Sequence, residues 1–149
     1  MKPLNKVIVN KDTSFNPIWI MRQAGRYLPE FREIRKKNPD FINLCLNDNL
    51  SSEITLQPLK RFDIDAAIIF SDILMLPYGL GQKVKFEKNF GPKLDKLNLS
   101  DVAKIDEIDF VEKIYPVYKA IKKVSSDPIL KNKNTIGFVG APWTLLVYM

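Results

Sequence analysis

The sequence predicts an α/β fold in which helices wrap a parallel sheet. Apolar runs of strand length occur at about 18–21, 65–70 and 135–139. Segments with helical periodicity lie between these runs and after the last one. The resulting order is strand, helices, strand, helix, strand, helix. This order indicates a parallel sheet, because strands that run in the same direction need a crossover connection.

The first predicted strand, 18–21, is a compact apolar run that ends in a basic loop. After this loop, apolar residues recur at helical spacing from Tyr27 to Ile34, and a proline at position 29 is tolerated in a first turn. The sequence therefore predicts an amphipathic helix that ends near Asn38.

Two more helices are predicted before the second strand. The shorter one, 41–46, contains Cys45 within an apolar run, so we expect a small buried side chain rather than a reactive thiol. Ser51 or Ser52 can cap the longer one, which runs toward Arg61.

The second predicted strand, 65–70, is apolar after Asp65, as expected for a strand covered on both faces. The segment from residue 83 alternates apolar and charged residues and contains turn residues at 89–92, so it predicts a small exposed hairpin. We interpret this hairpin as an insertion. Ser100 or Asp101 can cap a short helix after it.

The last part of the chain predicts a long helix, a strand and another helix. Apolar residues mark one face from Phe110 to Val124, and Pro116 should bend this helix. The third strand, 135–139, is followed by a turn and a helix that has no capping residue at its end. Because three strands leave both sheet edges unpaired, we expect the chain to be part of a larger structure.

The composition, with 46% hydrophobic and 27% charged residues, is that of a soluble globular protein. The apolar stretch at 7–9 does not form a secretory signal, and the run at 136–149 is shorter than the ~18 residues of a membrane span. We therefore expect no membrane partner. One cysteine permits no disulfide framework, which favours the cytoplasm, and the absence of histidine argues against a zinc site.

The net charge of +6 has more than one interpretation. Basic groups attract nucleic acids and anionic ligands, but a solvated basic surface has the same composition. One denser tract occurs at 35–37. No recognised nucleic-acid-binding motif accompanies it, so a nucleic-acid-binding module is an alternative and not the prediction.

Two arginines flank a glycine just after the first predicted strand. The guanidinium groups of Arg22 and Arg26 have the geometry for bidentate recognition of carboxylates. The carboxyl ends of parallel strands are where α/β enzymes bind their ligands. The alternative interpretation is a solvated basic loop.

Asp72 follows the second predicted strand at the same type of position. A carboxylate there can accept several N–H bonds from a ligand. It can equally cap the helix that follows, and spacing alone does not distinguish the two roles.

Several segments resemble the uroporphyrinogen decarboxylase family. Residues 17–31 resemble its first signature and residues 137–144 its second, while 55–59 and 70–74 resemble the part between them. The resemblance covers almost all of residues 1–149. It implies a (β/α)₈ barrel, of which this domain supplies about three βα units. It also implies a cytoplasmic carboxy-lyase of haem biosynthesis that is a homodimer at full length.

The implied reaction removes the four acetate carboxylates of uroporphyrinogen, a tetrapyrrole, to give coproporphyrinogen without a cofactor or metal. The implied catalytic residues are Arg22, Asp72 and Tyr148. The implied substrate-binding residues are Arg22, Gln23, Ala24, Arg26, Arg35, Asp72 and Tyr148. By this resemblance the arginines pair with substrate carboxylates, and Arg22 also helps to protonate a pyrrole carbon. A solvated helix face remains the alternative for Arg35.

The same resemblance gives Asp72 and Tyr148 their roles. Asp72 binds the pyrrole N–H groups and stabilises the positive charge that develops during protonation. Tyr148 positions a carboxylate and supports Asp72 by hydrogen bonding, whereas packing in the core is its alternative role.

A related barrel, a cobalamin-linked methyltransferase, is the alternative enzyme. It would hold zinc through histidine and cysteine ligands downstream of this sequence. The loop at 22–26 is expected chiefly in the decarboxylases. The serine and histidine that the decarboxylase family uses later in its barrel also fall outside these residues, so we expect no activity from the 149 residues alone.

Overall fold

A computed structural model of the protein describes residues 1–87, 90–96 and 99–149. The helices found there are α1 (Pro3–Asn10), α2 (Pro29–Lys37), α3 (Phe41–Cys45), α4 (Asp48–Arg61), α5 (Met75–Gly79), α6 (Leu99–Val102), α7 (Glu107–Ser126) and α8 (Pro142–Tyr148). The strands are β1 (Ala66–Ile68), β2 (Val84–Glu87), β3 (Gly91–Leu94) and β4 (Asn134–Ile136). A 3₁₀ turn, Pro128–Leu130, precedes β4. This mixture of helices and strands confirms the predicted α/β class.

Strands β1 and β4 pair in parallel, with Ala66 opposite Asn134 and Ile68 opposite Ile136. They correspond to the second and third predicted strands, although each is shorter than predicted. The pairing continues beyond β1, where the N–H of Ile69 donates to the carbonyl of Ile136 at 3.0 Å. Helices α5, α6 and α7 lie in the crossover between the two strands, as the parallel pairing requires.

The predicted first strand, 18–21, does not form, so this prediction was wrong. The segment lies beside β1 but contacts it through Asp65. The N–H of Asp65 donates to the carbonyl of Ile18 at 2.7 Å, and its carboxylate accepts the N–H of Ile18 at 2.7 Å. A β-strand is defined by repeated hydrogen bonds between backbone groups. Here the Asp65 side chain accepts one of the two bonds, so the segment is not a strand.

Helix α2 begins at Pro29, as predicted, because proline at the first helical position loses no intrahelical hydrogen bond. Glu30 lies in the first turn and basic residues lie in the last, so both ends complement the helix dipole. The two Glu30 oxygens accept bidentate bonds from Arg61 of α4 at 2.7 and 2.9 Å. This ion pair is partly exposed, so it fixes the orientation of α2 more than it adds stability.

The cap of α4 differs from the prediction. The side chain of Asn47 accepts the N–H groups of Asn49 and Leu50, whereas Ser51 and Ser52 lie buried inside the helix. The hydroxyl of Ser51 donates to the carbonyl of Phe70 at 2.6 Å, just after β1. Ser51 therefore hydrogen-bonds the segment after β1 and does not cap α4.

Two other caps can be compared with the prediction. Helix α6 begins at Leu99, so Ser100 and Asp101 lie inside it and not before it. Helix α7 begins at Glu107, earlier than the apolar spacing suggested, because the Asp106 carboxylate accepts the N–H of Asp109 at 2.7 Å.

The main core lies between α4, β1 and α7. Its buried residues are Leu56, Leu59, Ile64, Ala67, Ile69, Ala120, Val124 and Leu130. A second cluster lies under α2, and a third contains Cys45 and Met75, against which Val84 of β2 packs. The main core packs α4 and α7 against β1. The second cluster joins α2 to α3 and α4, and the third joins the hairpin to α3, α5 and α7.

Cys45 is fully buried, as predicted, and burial raises the pKa of its thiol well above the usual range. Thiolate is the reactive form. We therefore expect a disulfide reagent to label the folded protein at least ~100-fold more slowly than the protein in urea. Thiol titration with and without denaturant measures this ratio, and fast labelling of the folded protein would contradict the assignment.

Strands β2 and β3 form the predicted hairpin, with Lys85 opposite Lys93 and Phe86 opposite Pro92. Pro92 belongs to β3 and not to the turn, and Asn89 of the predicted turn lies outside the described residues. The inner face of the hairpin carries Val84, which packs against the cluster of Cys45 and Met75, and Phe86, whose ring meets that of Phe41. The hairpin is therefore attached to the core through one face.

Helix α1 was not predicted. Its Pro3 occupies the first helical position, and the N–H of Leu4 donates to the side chain of Asn134 at 3.0 Å, which places α1 beside the start of β4. Within the described ranges, no helix combines the length and the apolar character that crossing a membrane requires.

Candidate functional site

A cavity of about 710 Å³ opens at the carboxyl ends of β1 and β4. Its walls come from residues 68–74, from the hairpin, from the end of α8, from Trp19, Met21, Arg22 and Ala24, and from Ile136, Phe138 and Val139. Ligand sites of α/β proteins lie at this end of a parallel sheet. This cavity is therefore where the site residues predicted from the sequence are expected to lie.

The basic loop contributes Arg22 and Ala24 to the cavity wall. Arg22 is exposed and has no acidic partner among the residues that the structure describes. Arg26 is also exposed and unpaired in the described chain, but it does not line the cavity. The loop thus places one exposed arginine in the cavity wall and a second one nearby in sequence.

Gln23 lies between these arginines but is buried. Its side-chain N–H donates to the carbonyl of Ala66 in β1 at 3.0 Å, and its side-chain oxygen accepts the N–H of Ile20 at 3.4 Å. Its own carbonyl accepts the hydroxyl of Tyr27. From α2, Arg32 donates to the carbonyls of Arg26 and Tyr27 at 2.9 and 3.3 Å.

Asp72 lines the cavity after the end of β1 and is half-buried. One carboxylate oxygen accepts the N–H of Leu74 at 2.8 Å, and no partner of the other oxygen is found in the described part of the chain. Burial raises the pKa of this carboxyl, and the bond from Leu74 opposes that effect. The predicted helix-cap role was wrong, because α5 begins at Met75 with Leu74 as its N-cap. Asp72 instead stabilises the turn before α5 with one oxygen, and its other oxygen remains available to a ligand.

Tyr148 of α8 also lines the cavity, although its side chain is partly exposed. No hydrogen bond joins it to Asp72 within the described residues. The position of α8 depends on Gly140, where a Cβ atom would lie 2.6 Å from Leu145 and 3.1 Å from Ile73. Only a glycine lets the loop after β4 approach these side chains so closely.

Arg35 does not line the cavity. It donates to the carbonyls of Asn38 and Pro39 at 2.7 and 3.2 Å, and its guanidinium lies over the ring of Phe41 at 5.3 Å. Phe41 does line the cavity. Arg35 is thus engaged with the protein rather than freely solvated, and one aromatic ring separates it from the site.

An aromatic wall is the part of the site that the sequence did not predict. Phe41, Phe70 and Phe86 all line the cavity, and Phe41 meets the other two edge-on at centroid distances of 5.7 and 4.8 Å. The hairpin that we interpreted as an exposed insertion supplies Phe86 and Pro92. The alternation that places Val84 and Phe86 on one face was the available signal.

This geometry suits an anionic ligand with an apolar body. Arg22 offers a bidentate donor to a carboxylate, Asp72 offers an acceptor to N–H groups, and the aromatic wall contacts flat apolar surface. Among the described residues, no group of three or more histidine, cysteine or acidic side chains is placed to hold a metal ion.

Comparison with known proteins gives a consistent result. The sequence model of the family described as Uroporphyrinogen decarboxylase (URO-D) matches residues 1–149. Curated proteins named uroporphyrinogen decarboxylase from Agrobacterium fabrum (strain C58) and Campylobacter jejuni (strain RM1221) are 45% and 47% identical to it, over 96% and 93% of this chain. One from Rickettsia felis is 44% identical over 97% of the chain. The chain spans 41% to 42% of the length of these three relatives.

Proposed function

Because this chain belongs to the uroporphyrinogen decarboxylase family, we propose that its cavity binds uroporphyrinogen and takes part in removing the acetate carboxylates to give coproporphyrinogen. The observation that carries the proposal is the presence of exposed Arg22 and half-buried Asp72 in one cavity. The names of the matched relatives favour this function over a cobalamin-linked methyltransferase or a nucleic-acid-binding module.

The substrate carries many carboxylates, and the proposed site meets them with arginines. Arg22 pairs with one carboxylate and helps to protonate a pyrrole carbon, while Arg26 and Arg35, which lie outside the cavity wall, engage others. Gln23 and Ala24 complete the loop that carries Arg22 and Arg26. An ion pair inside a partly desolvated cavity contributes more to the free energy of binding than the same pair in bulk water.

Asp72 accepts the pyrrole N–H groups through the carboxylate oxygen that does not bind Leu74. When a proton adds to a ring carbon, positive charge develops on the pyrrole, and a fixed carboxylate lowers the energy of that state. The C–C bond between the acetate methylene and its carboxylate then breaks, CO₂ leaves, and the bonding electron pair neutralises the pyrrole cation and forms an exocyclic methylene. That methylene carbon takes up a proton to become a methyl group, and the ring carbon gives back the proton it had accepted. Tyr148 orients the carboxylate that is lost.

We also propose that residues 1–149 form the first part of a (β/α)₈ barrel. The parallel pairing of β1 with β4 through intervening helices supports this, as does the position of the cavity at their carboxyl ends. The cytoplasm is the proposed location, with which the single buried free cysteine agrees. A homodimer of the complete enzyme is part of the same proposal.

The arginine assignments can be tested in a chimaera that joins residues 1–149 to the unmatched part of the Agrobacterium fabrum relative. Losing a hydrogen bond between charged groups costs about 1.5–3 kcal/mol, so Arg26→Ala should weaken uroporphyrinogen binding roughly 10- to 100-fold. Arg22→Ala should weaken binding similarly and lower turnover as well. Binding titrations and coproporphyrinogen formation measure the two effects.

Lys131→Ala is the matched control for these variants, because Lys131 is exposed and lies outside the cavity wall. It should leave both quantities unchanged. Normal binding and turnover in both arginine variants would contradict the proposed function of the loop.

A further inference from the structure

The burial of Gln23 is unusual for its position in the chain. Arg22 and Arg26 on either side of it are exposed, yet Gln23 is only 2% exposed and does not line the cavity. A buried amide carries a large desolvation cost unless it is hydrogen-bonded. Its side chain is therefore committed to the protein and not to a ligand.

The Gln23 amide occupies the edge of β1 that faces away from β4. The carbonyl of Asp65 and the N–H of Ile69 both bond to β4. Because successive residues of a strand point their backbone groups to opposite sides, the carbonyl of Ala66 points the other way. It accepts the side-chain N–H of Gln23 at 3.0 Å.

The other end of the same amide makes the complementary bond. Its oxygen accepts the N–H of Ile20 at 3.4 Å, so one side chain links the 18–21 segment to β1 as a peptide group of a neighbouring strand would. The Gln23 side chain thus makes hydrogen bonds at the edge of β1 that the backbone of the predicted strand at 18–21 does not make. Just beyond β1, side chains of α4 complete this edge, since Thr55 and Ser51 bond the N–H and the carbonyl of Phe70.

We propose that Gln23 is a positioning residue for Arg22. Its side-chain amide fixes the loop of residues 21–26 on β1, and this directs the guanidinium of Arg22 into the cavity that Asp72 also lines. The proposal rests on the proposed function in one respect, namely that Arg22 binds a substrate carboxylate. The attachment of the loop can be tested without any ligand.

Gln23→Met keeps the volume and the burial of the side chain but removes both hydrogen bonds. Trypsin cleaves after Arg22 and Arg26, so it reports directly on release of this loop. We expect cleavage at these two sites to become about tenfold faster in the chimaera, relative to cleavage after Lys131 in the same molecule. The reference site corrects for general unfolding, and the measurement uses dilute protein.

Gln57→Met is the matched control. Gln57 is also buried, at 3% exposure, but neither atom of its amide group has a partner among the described residues. The same substitution there removes no bond to the loop, so cleavage at Arg22 and Arg26 should stay at the parent rate. Equal rates in the parent, Gln23→Met and Gln57→Met would overturn the positioning role.

A second measurement tests whether Gln23 acts through Arg22. The probe is uroporphyrin, the stable oxidised form of the substrate, titrated against the same chimaera. Gln23→Met should weaken binding as much as Arg22→Ala does, and the double variant should be no weaker than Arg22→Ala alone, because residues that act as a unit are not additive. Additive losses would overturn the coupling and indicate a purely structural role.

The two measurements separate the proposal from the function on which it rests. If the parent chimaera does not bind uroporphyrin, the proposed function loses its support, and the trypsin result alone decides whether Gln23 holds the loop. If the parent binds and Arg22→Ala weakens binding while Gln23→Met does not, the function stands and the positioning role is wrong.

Discussion

Replacing Asp72 by asparagine is expected to lower the decarboxylation rate of the chimaera by about 100- to 1000-fold without unfolding it, a loss typical of removing one electrostatic stabiliser of a transition state. Asparagine keeps the oxygen that accepts the N–H of Leu74, so the turn after β1 should persist. The negative charge that balances the protonated pyrrole is lost. Product formation under saturating substrate measures this effect.

The Asp72→Asn substitution is also expected to change the thermal stability of the folded protein. Burial raises the pKa of Asp72, so the folded protein holds this proton more readily than the unfolded chain does. At neutral pH the ionised carboxylate therefore costs stability, and this cost disappears as the pH falls through the raised pKa. Asp72→Asn should melt at a higher temperature than the parent near pH 7, and the difference should shrink toward pH 4.

Asp127→Asn is the appropriate control for both measurements. Its carboxylate accepts the N–H of Ile129 at 2.9 Å, two residues along the chain, just as Asp72 accepts from Leu74, but it lies outside the cavity wall. Turnover should not change in this variant. If Asp72→Asn also kept near-normal turnover, a turn cap would be the whole role of Asp72.

The 149-residue polypeptide by itself is expected to form no coproporphyrinogen and to self-associate as its concentration rises. Large apolar side chains on and before α8 are exposed, including Trp143 at 75%, Val147 at 70% and Val139 at 68%. Adjacent exposed apolar groups of this kind drive association. The proposed barrel would cover them with further strand and helix units.

Sedimentation over a range of concentrations and product assays test this expectation. Trp143→Lys should reduce self-association, because it places a charge in the exposed apolar patch, whereas Lys131→Glu changes an exposed residue outside this patch and serves as the control. Adding the unmatched part of the Agrobacterium fabrum relative should restore product formation. An active, cooperatively folded monomer of 149 residues would refute this prediction.

Local patterns predicted the helices better than the strands. The apolar period in α2 and α7 reflects one buried face of a single element, which the sequence records directly. The run at 18–21 has the composition of a strand, but Ile18 is 58% exposed and its bonds go to Asp65. Whether an apolar run enters a ladder depends on distant partners, which a local pattern does not encode.

The position of Asp72 was predictable because it follows a strand that forms, β1. Arg22 reaches the same cavity although the strand predicted before it does not form, and Tyr148 was implied only by family resemblance. The inward orientation of Gln23 and the hairpin's contribution to the aromatic wall were missed. Both depend on contacts between segments far apart in sequence, which no motif describes.

The pairing of β1 with β4 also has a consequence for synthesis. Ile68 pairs with Ile136, so about 68 residues must be added after β1 before its parallel partner exists. At roughly 5–20 residues per second, translation takes about 3 to 14 s to produce them. During this interval the β4-facing edge of β1 lacks its native partner, and helix α4, already made, is available to cover one face of the strand.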